Sequence, residues 1–233
     1  MIFGPNKTKI HLNMDVNINR EKIEIVQHTN FLGIILDNQL NWKKHIAHLT
    51  QKISKSIGIL SRARQRLSPD ILCQLYYSFL YPYLSYCNVI WGQPPASTLW
   101  PIFRIQQRAI RIICNIRRYD STLLSFKKLQ ILRLPDIHSL SVLIFMFKFK
   151  KGLLPPTFNH FYSVNQQFHR YPTRGAKLLR TPLVRTRMDN MFIRKTGVSL
   201  WNKFYPEQLP TNITLRIFKR DLIIRLLSDY LII

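Results

Sequence analysis

The 11 carboxylates of this 233-residue chain are thinly scattered. Two-metal chemistry on phosphates needs acids close enough to share a pair of ions. No two acids here are adjacent in sequence, and Glu21 and Glu24, the closest pair, would point to opposite faces of a strand. The residues therefore offer no catalytic site and no metal site within the chain. His45-x-x-His48 lies on one helical face, but a zinc ion takes four ligands and no cysteine or acid follows at a recognisable spacing. These histidines read as structural or as facing nucleic acid. Cys73, Cys87 and Cys114 form neither a disulfide framework nor a CxxC pair, which fits a reducing compartment. With 7 glycines in all, the chain has no phosphate-cradling glycine loop, GxSxG elbow or zinc knuckle.

What the chain has in excess is positive charge. Lys and Arg number 35, giving a net charge of +24, and 46% apolar residues argue against a disordered polycation. The charge is uneven. Residues 1–41 carry four basic and four acidic side chains, residues 42–151 carry 18 and three, and residues 152–233 carry 13 and four. A neutral leader thus precedes a basic body. Such a field draws polyanions, with nucleic acid the first candidate and anionic membrane the second.

The elements that must carry this charge follow from the period of the apolar residues. In the leader, Ile10, Leu12 and Met14, then Ile23 and Ile25, then Phe31 to Leu36 with Gly33 inside, alternate between turns at Asn17, Asn19 and Asn30. Two or three antiparallel strands are expected. From Trp42 the spacing becomes helical: Trp42, Ile46, Leu49, Ile53, Ile57 and Leu60 share one face, with Asn41 as N-cap. Lys44, His48, Lys52, Lys55, Arg62 and Arg66 gather opposite them as a basic stripe. Arg64 projects onto the apolar side, so either the helix ends there or its stem snorkels.

Ser68-Pro69-Asp70 opens a second helix, expected to run to about Tyr81, where Pro82 kinks or stops it. After a turn at Gly92-Gln93-Pro94-Pro95, a helix over about 97–118 buries Leu99, Phe103, Ile110, Ile113 and Ile116. Arg104, Arg108, Arg111 and Arg118 share an arc of about 80° outside, a second basic stripe. Shorter helices are expected over 121–130, capped by Ser121, and over 136–150, packing Ile137, Leu140, Ile144 and Phe147. Residues 157–190 have no sustained period and read as a linker or irregular extension. Order returns over 192–204, and 213–227 closes the chain as an amphipathic helix. Solvated helix faces usually mix signs, and these stripes contain almost no acid, which favours phosphate contact.

Residues 71–103 contain no charged side chain, a run longer than the about 20 apolar residues of a membrane span. Gln74, Ser78, Pro82, Asn88, Gln93 and five tyrosines interrupt it, so a buried helical hairpin is expected and no membrane span. The first 30 residues lack an apolar core of signal-peptide length, being broken by Lys7, Lys9 and Arg20. The expected location is intracellular, nuclear or cytoplasmic, and not secreted.

Phe31-Leu32-Gly33-Ile34-Ile35-Leu36-Asp37, followed by Leu40-Asn41-Trp42-Lys43-Lys44-His45-Ile46, resembles the FLG-x-x-x-D…L-x-W-x-x-H-I block of reverse transcriptases from non-LTR retrotransposons of the Jockey-like and related clades. Further similar blocks follow in the same order: Tyr76…Pro82…Leu84…Tyr86 with Trp91-Gly92, then Leu99…Gln106-Gln107-Arg108-Ala109-Ile110-Arg111, Thr173-Arg174, Arg185-Thr186, Trp201-Asn202 and Phe218-Lys219. The resemblance covers nearly the whole chain.

It implies three parts. Residues 1–41 would correspond to the last palm strands with the primer-grip hairpin, residues 42–151 to the helical thumb, and residues 152–233 to a basic C-terminal extension. The fold class expected is mainly α, a thumb-like bundle behind a small antiparallel β leader. The paired catalytic aspartates of the family are absent, so the catalytic blocks would lie upstream of Met1 and this chain alone should not polymerise. No cofactor is expected in it; magnesium would belong to the upstream palm. The implied partners are an RNA/DNA template–primer duplex and the upstream palm and fingers. Lys44, Lys52, Lys55, Arg62, Arg66, Arg104, Arg108, Arg111 and Arg118 would track phosphates. Phe31, Leu32 and Gly33 would be primer-grip-like, with Gly33 serving either close approach to the primer end or an ordinary bulge. Two rival classes use the same charge: a stand-alone, domesticated nucleic-acid-binding protein, and a module bound to anionic membrane.

Overall fold

The computed structural model describes residues 1, 3, 17–168, 175–183, 192–205 and 212–231. Ile10, Leu12 and Met14, with the motif residues Thr173-Arg174 and Arg185-Thr186, lie outside the described residues. The chain is mainly helical, behind a small antiparallel β leader.

The leader is two hairpins, each turning through two residues with positive φ, the geometry that matches the natural twist of paired strands. The first pairs β1 (Asn17–Ile18) with β2 (Glu21–Lys22) across Asn19 and Arg20. The second pairs β3 (His28–Phe31) with β4 (Ile34–Asp37) across Leu32 and Gly33. Asn17 and Asn30 are paired strand residues, not turns. The run from Phe31 to Leu36 is two strands meeting at a turn, because Gly33 at φ 81 reverses the chain, so Gly33 is no bulge.

Asp37 couples the leader to the helices. Its buried carboxylate accepts the backbone N–H groups of Gln39 (3.0 Å), Asn41 (3.1 Å) and Trp42 (3.0 Å), which fixes the entry to α1 (Lys43–Ala63). Asn41 Oδ1 accepts the N–H of Lys43 at 3.0 Å. Trp42, Ile46, Leu49, Ile53, Ile57 and Leu60 are all buried, as their spacing requires. Arg64 lies one residue past the helix end and is exposed.

The uncharged stretch breaks into α2 (Pro69–Phe79), α3 (Tyr81–Ser85) and α4 (Asn88–Trp91) before α5 (Ala96–Cys114) begins. The expected stop falls at Phe79, just before Pro82, and Pro82 itself stands in the first turn of the next helix, α3, where a missing N–H is harmless. Among the described residues no helix is long and apolar enough to cross a membrane. Helix α5 ends at Cys114, with Asn115 at φ 52, so Ile116 and Arg118 follow the helix instead of extending it.

A short helix, α6 (Leu123–Lys128), and a long one, α7 (Leu134–Lys150), follow. Pro135 occupies the first turn of α7, which therefore starts two residues before Asp136. Leu134, Val142, Leu143 and Met146 are buried as well as Ile137, Leu140 and Phe147, because α3, α4, α8 (Ile193–Phe204) and α9 (Leu215–Ser228) all pack on α7. The described part of 157–190 is irregular but anchored: Asn202 brackets Leu179, accepting its N–H at 3.1 Å and donating to its carbonyl at 2.8 Å. One apolar cluster runs from Ile34 to Tyr230.

Candidate nucleic-acid interface

Helices α1 and α5 lie side by side and run in the same direction. Residues of both first turns meet at Lys43, Ser97 and Thr98, and beyond both ends Arg64 Nη2 donates to Asn115 Oδ1. Between them opens a groove of about 880 Å³. Its walls carry Arg64, Arg104, Arg108, Arg111 and Arg118, with Trp100, Tyr119, Gln107 and Thr50, and among the described residues no carboxylate lines it.

The arginines come from one row of α5 and from the two chain segments leaving α1 and α5. Arg104, Arg108 and Arg111 stand three and four residues apart, so one helical face delivers them together. What holds that face outward is the burial of the opposite one, Ile102, Gln106, Ala109, Ile110 and Ile113. Gln106 is the polar anchor of this packing. Its Nε2 donates to Tyr76 Oη and to the Leu132 carbonyl, each at 2.9 Å, and its Oε1 accepts the Leu134 N–H at 2.8 Å.

Asp120 adjoins the groove, its Oδ2 accepting the Arg117 N–H at 2.9 Å and its carbonyl accepting from Arg111 Nη2 at 3.3 Å, and its single negative charge stands against five arginines. Arg111 Nε is buried with no hydrogen-bond partner among the described residues. Arg104 and Arg108 have no ion pair among them either. The exposed guanidiniums of Arg104 and Arg108 are fork-shaped donors open to phosphate oxygens, while Arg111 is half-buried and already donates to the Asp120 carbonyl. Trp100 is 49% exposed and Tyr119 90% exposed at the groove, and the Arg118 guanidinium lies 5.9 Å from the Tyr119 ring centroid.

The two predicted stripes have different settings. The α5 stripe lines the groove, joined by Arg64, which the helical projection left without a role. Lys44, Lys52, Lys55 and Arg62 are exposed on the flank of α1 away from its buried face and do not line it; Arg66, expected on the same helix, is exposed in the turn after Ala63, because the helix ends there. Lys44 Nζ donates to His28 Nδ1 at 2.9 Å, tying α1 to β3. Sequence reasoning passed over Trp100 and Tyr119 as ligand-facing rings. Their signal was available, since each flanks the arginine run of α5.

Phe31 and Leu32 are exposed at the tip of the β3–β4 hairpin. Tyr86 Oη donates to the Leu32 carbonyl at 2.8 Å, which holds the tip against the segment joining α3 and α4. His45 is a buried structural residue: Nδ1 accepts the Ile35 N–H at 3.3 Å and the ring sits edge-on to Trp42 and Trp91. Burial lowers its pKa from 6.5 to about 4, with His48 adding to the shift. Among the described residues no group of three or more His, Cys, Asp or Glu side chains could hold a metal ion.

Comparison of the chain with protein-family models, with curated proteins and with solved structures returns no match.

Proposed function

We propose that this chain is the C-terminal, post-catalytic part of an RNA-directed DNA polymerase of the non-LTR retrotransposon kind, and that it holds nucleic acid without reacting with it. The observation that carries the reading is the convergence of Arg64, Arg104, Arg108, Arg111 and Arg118 on one groove that, among the described residues, no carboxylate lines. Gathering like charges is unfavourable for an isolated protein and is offset when a polyanion supplies the counter-charge. The exposed stripe on α1 suits the backbone of a template–primer duplex, whose phosphates are positioned without sequence being read. In this reading the upstream palm supplies the carboxylates and magnesium, and Phe31, Leu32 and Gly33 face the primer end.

The test is duplex binding by the purified chain across a salt series, with anionic vesicles as competitor. Affinity should fall steeply with salt as condensed counterions cease to be released, and vesicles should compete poorly. Affinity that is flat in salt, or preferential binding to vesicles, defeats the nucleic-acid reading. An upstream coding segment with the paired aspartates supports the polymerase assignment over a stand-alone binding protein.

A further inference from the structure

The groove between α1 and α5 differs from the α1 stripe in one respect: it presents aromatic faces. A duplex turns its bases inward, so it could offer Trp100 and Tyr119 only sugar and phosphate. Unpaired bases do expose a ring face, and stacking on aromatic side chains beside arginine is how single strands are held without sequence preference. Here both components stand in one groove. Trp100 packs at one edge on Phe103, with ring centroids 5.8 Å apart, which steadies its plane while leaving it 49% exposed. Tyr119 projects from the loop after α5 and is 90% exposed, far more than a ring gains from packing on its own protein. The same groove is lined by the guanidiniums of Arg104, Arg108 and Arg111 and by the Gln107 amide, which can bond the edge of a base.

We propose that this groove binds an unpaired stretch of nucleic acid, with bases on Trp100 and Tyr119 and phosphates on Arg104, Arg108 and Arg111. The inference rests on the nucleic-acid reading above and adds to it a division of labour: the α1 stripe takes the duplex, and the α5 groove takes the single strand beside it. Stacking and phosphate contact are common to RNA and DNA, so the groove accepts either.

The structure supplies the readout. Of the 4 tryptophans, Trp42, Trp91 and Trp201 are buried, which leaves Trp100 as the one a ligand can reach. Oligothymidylate, oligouridylate and a blunt hairpin duplex closed by a non-nucleotide linker, which leaves no base unpaired, would each be titrated into the full chain, following tryptophan fluorescence and the anisotropy of a labelled strand. Both single strands should quench Trp100 and the hairpin should not. Trp100→Ala and Tyr119→Leu should each weaken single-strand binding by about tenfold, the effect of losing one stacked base, while hairpin affinity stays within about twofold. Tyr119 touches so little that its variant keeps the fold even if Trp100→Ala disturbs Phe103, and circular dichroism checks both. Salt-dependent hairpin binding with single-strand affinity unchanged in both variants overturns the stacking groove and leaves the nucleic-acid reading standing. Failure of every oligonucleotide to bind overturns both.

Discussion

Arg64 and Asn115 join the C-terminal ends of α1 and α5 through a hydrogen bond from the guanidinium to the side-chain carbonyl. Each stands one residue past its helix, so two parallel helix dipoles end together at the groove mouth. A helix C-terminus favours nearby cations by about 0.3–1 kcal/mol each. Arg62 and Arg111 occupy the last turns of the same two helices. The fold thus lowers the cost of the charge cluster before any ligand arrives.

Asn115 does this from a left-handed conformation, φ 52, which glycine and asparagine tolerate and branched residues do not. Asn115→Gly should keep stability within about 1 kcal/mol, and Asn115→Val should cost on the order of 2 kcal/mol. Urea unfolding of the two variants side by side checks the cap geometry.

Lys52 and Ile53 are neighbours in sequence on opposite faces of α1, one exposed and one fully buried. Lys52→Ala should weaken duplex binding and change stability by no more than about 0.5 kcal/mol. Ile53→Ala should cost on the order of 2–5 kcal/mol through lost burial and a cavity. Thermal unfolding and duplex affinity are measured on both; a Lys52→Ala protein that unfolds while Ile53→Ala does not would reverse the helix phase.

Gln106 sits in the resemblance block beside Arg108, yet its partners make it structural. Gln106→Leu leaves Tyr76 Oη, the Leu132 carbonyl and the Leu134 N–H buried without their partner. Each orphaned group costs about 1–3 kcal/mol. The variant should lose on the order of 3 kcal/mol in chemical denaturation, more than any single arginine of the groove replaced by alanine.

Gly33→Ala meets no obstruction, since the nearest atom to an added Cβ is Tyr86 Cε1 at 3.9 Å. The cost is conformational, about 1 kcal/mol for placing a Cβ at φ 81. Gly33→Asn should cost less. Hydrogen exchange across β3 and β4 should rise in the alanine variant and much less in the asparagine one.

Acid should loosen the fold before the carboxylates titrate. His45 is held neutral by burial, its pKa lowered from 6.5 to about 4, and burial also lowers that of His138, whose Nδ1 bonds the Asn88 carbonyl at 3.1 Å. For a group with a lowered folded pKa, the unfolded chain binds more protons below its own pKa, so stability is full above about pH 6.5 and falls as pH drops toward 4. The urea midpoint should decline across that window in the native chain. In a His45→Gln, His138→Gln variant the slope between about pH 6.5 and 5 should largely vanish, whatever the variant's absolute stability.

By itself the sequence determined what is local. The helical spacing from Trp42 to Leu60 named the apolar residues of the buried face of α1, though not His45 and Ser56 among them, since an amphipathic helix allows only one apolar side. The acid-poor arginine row of α5 was legible for the same reason, as was the mainly helical class. Tertiary structure decided what depends on residues remote in the chain. Arg64 looked misplaced while α1 was considered alone; it has a partner only because Asn115, 51 residues later, ends a helix at the same point. Arg118 joins the groove although α5 stops at Cys114, because the chain beyond Asn115 turns it back to the same wall. Buried polar anchors such as Asp37 and Gln106 carry no periodic signal, and their meaning lies in the backbone groups they satisfy. Periodicity reports which side of an element faces inward, but which elements meet there is settled by packing and by the pairing of buried polar groups, neither of which is a property of one segment.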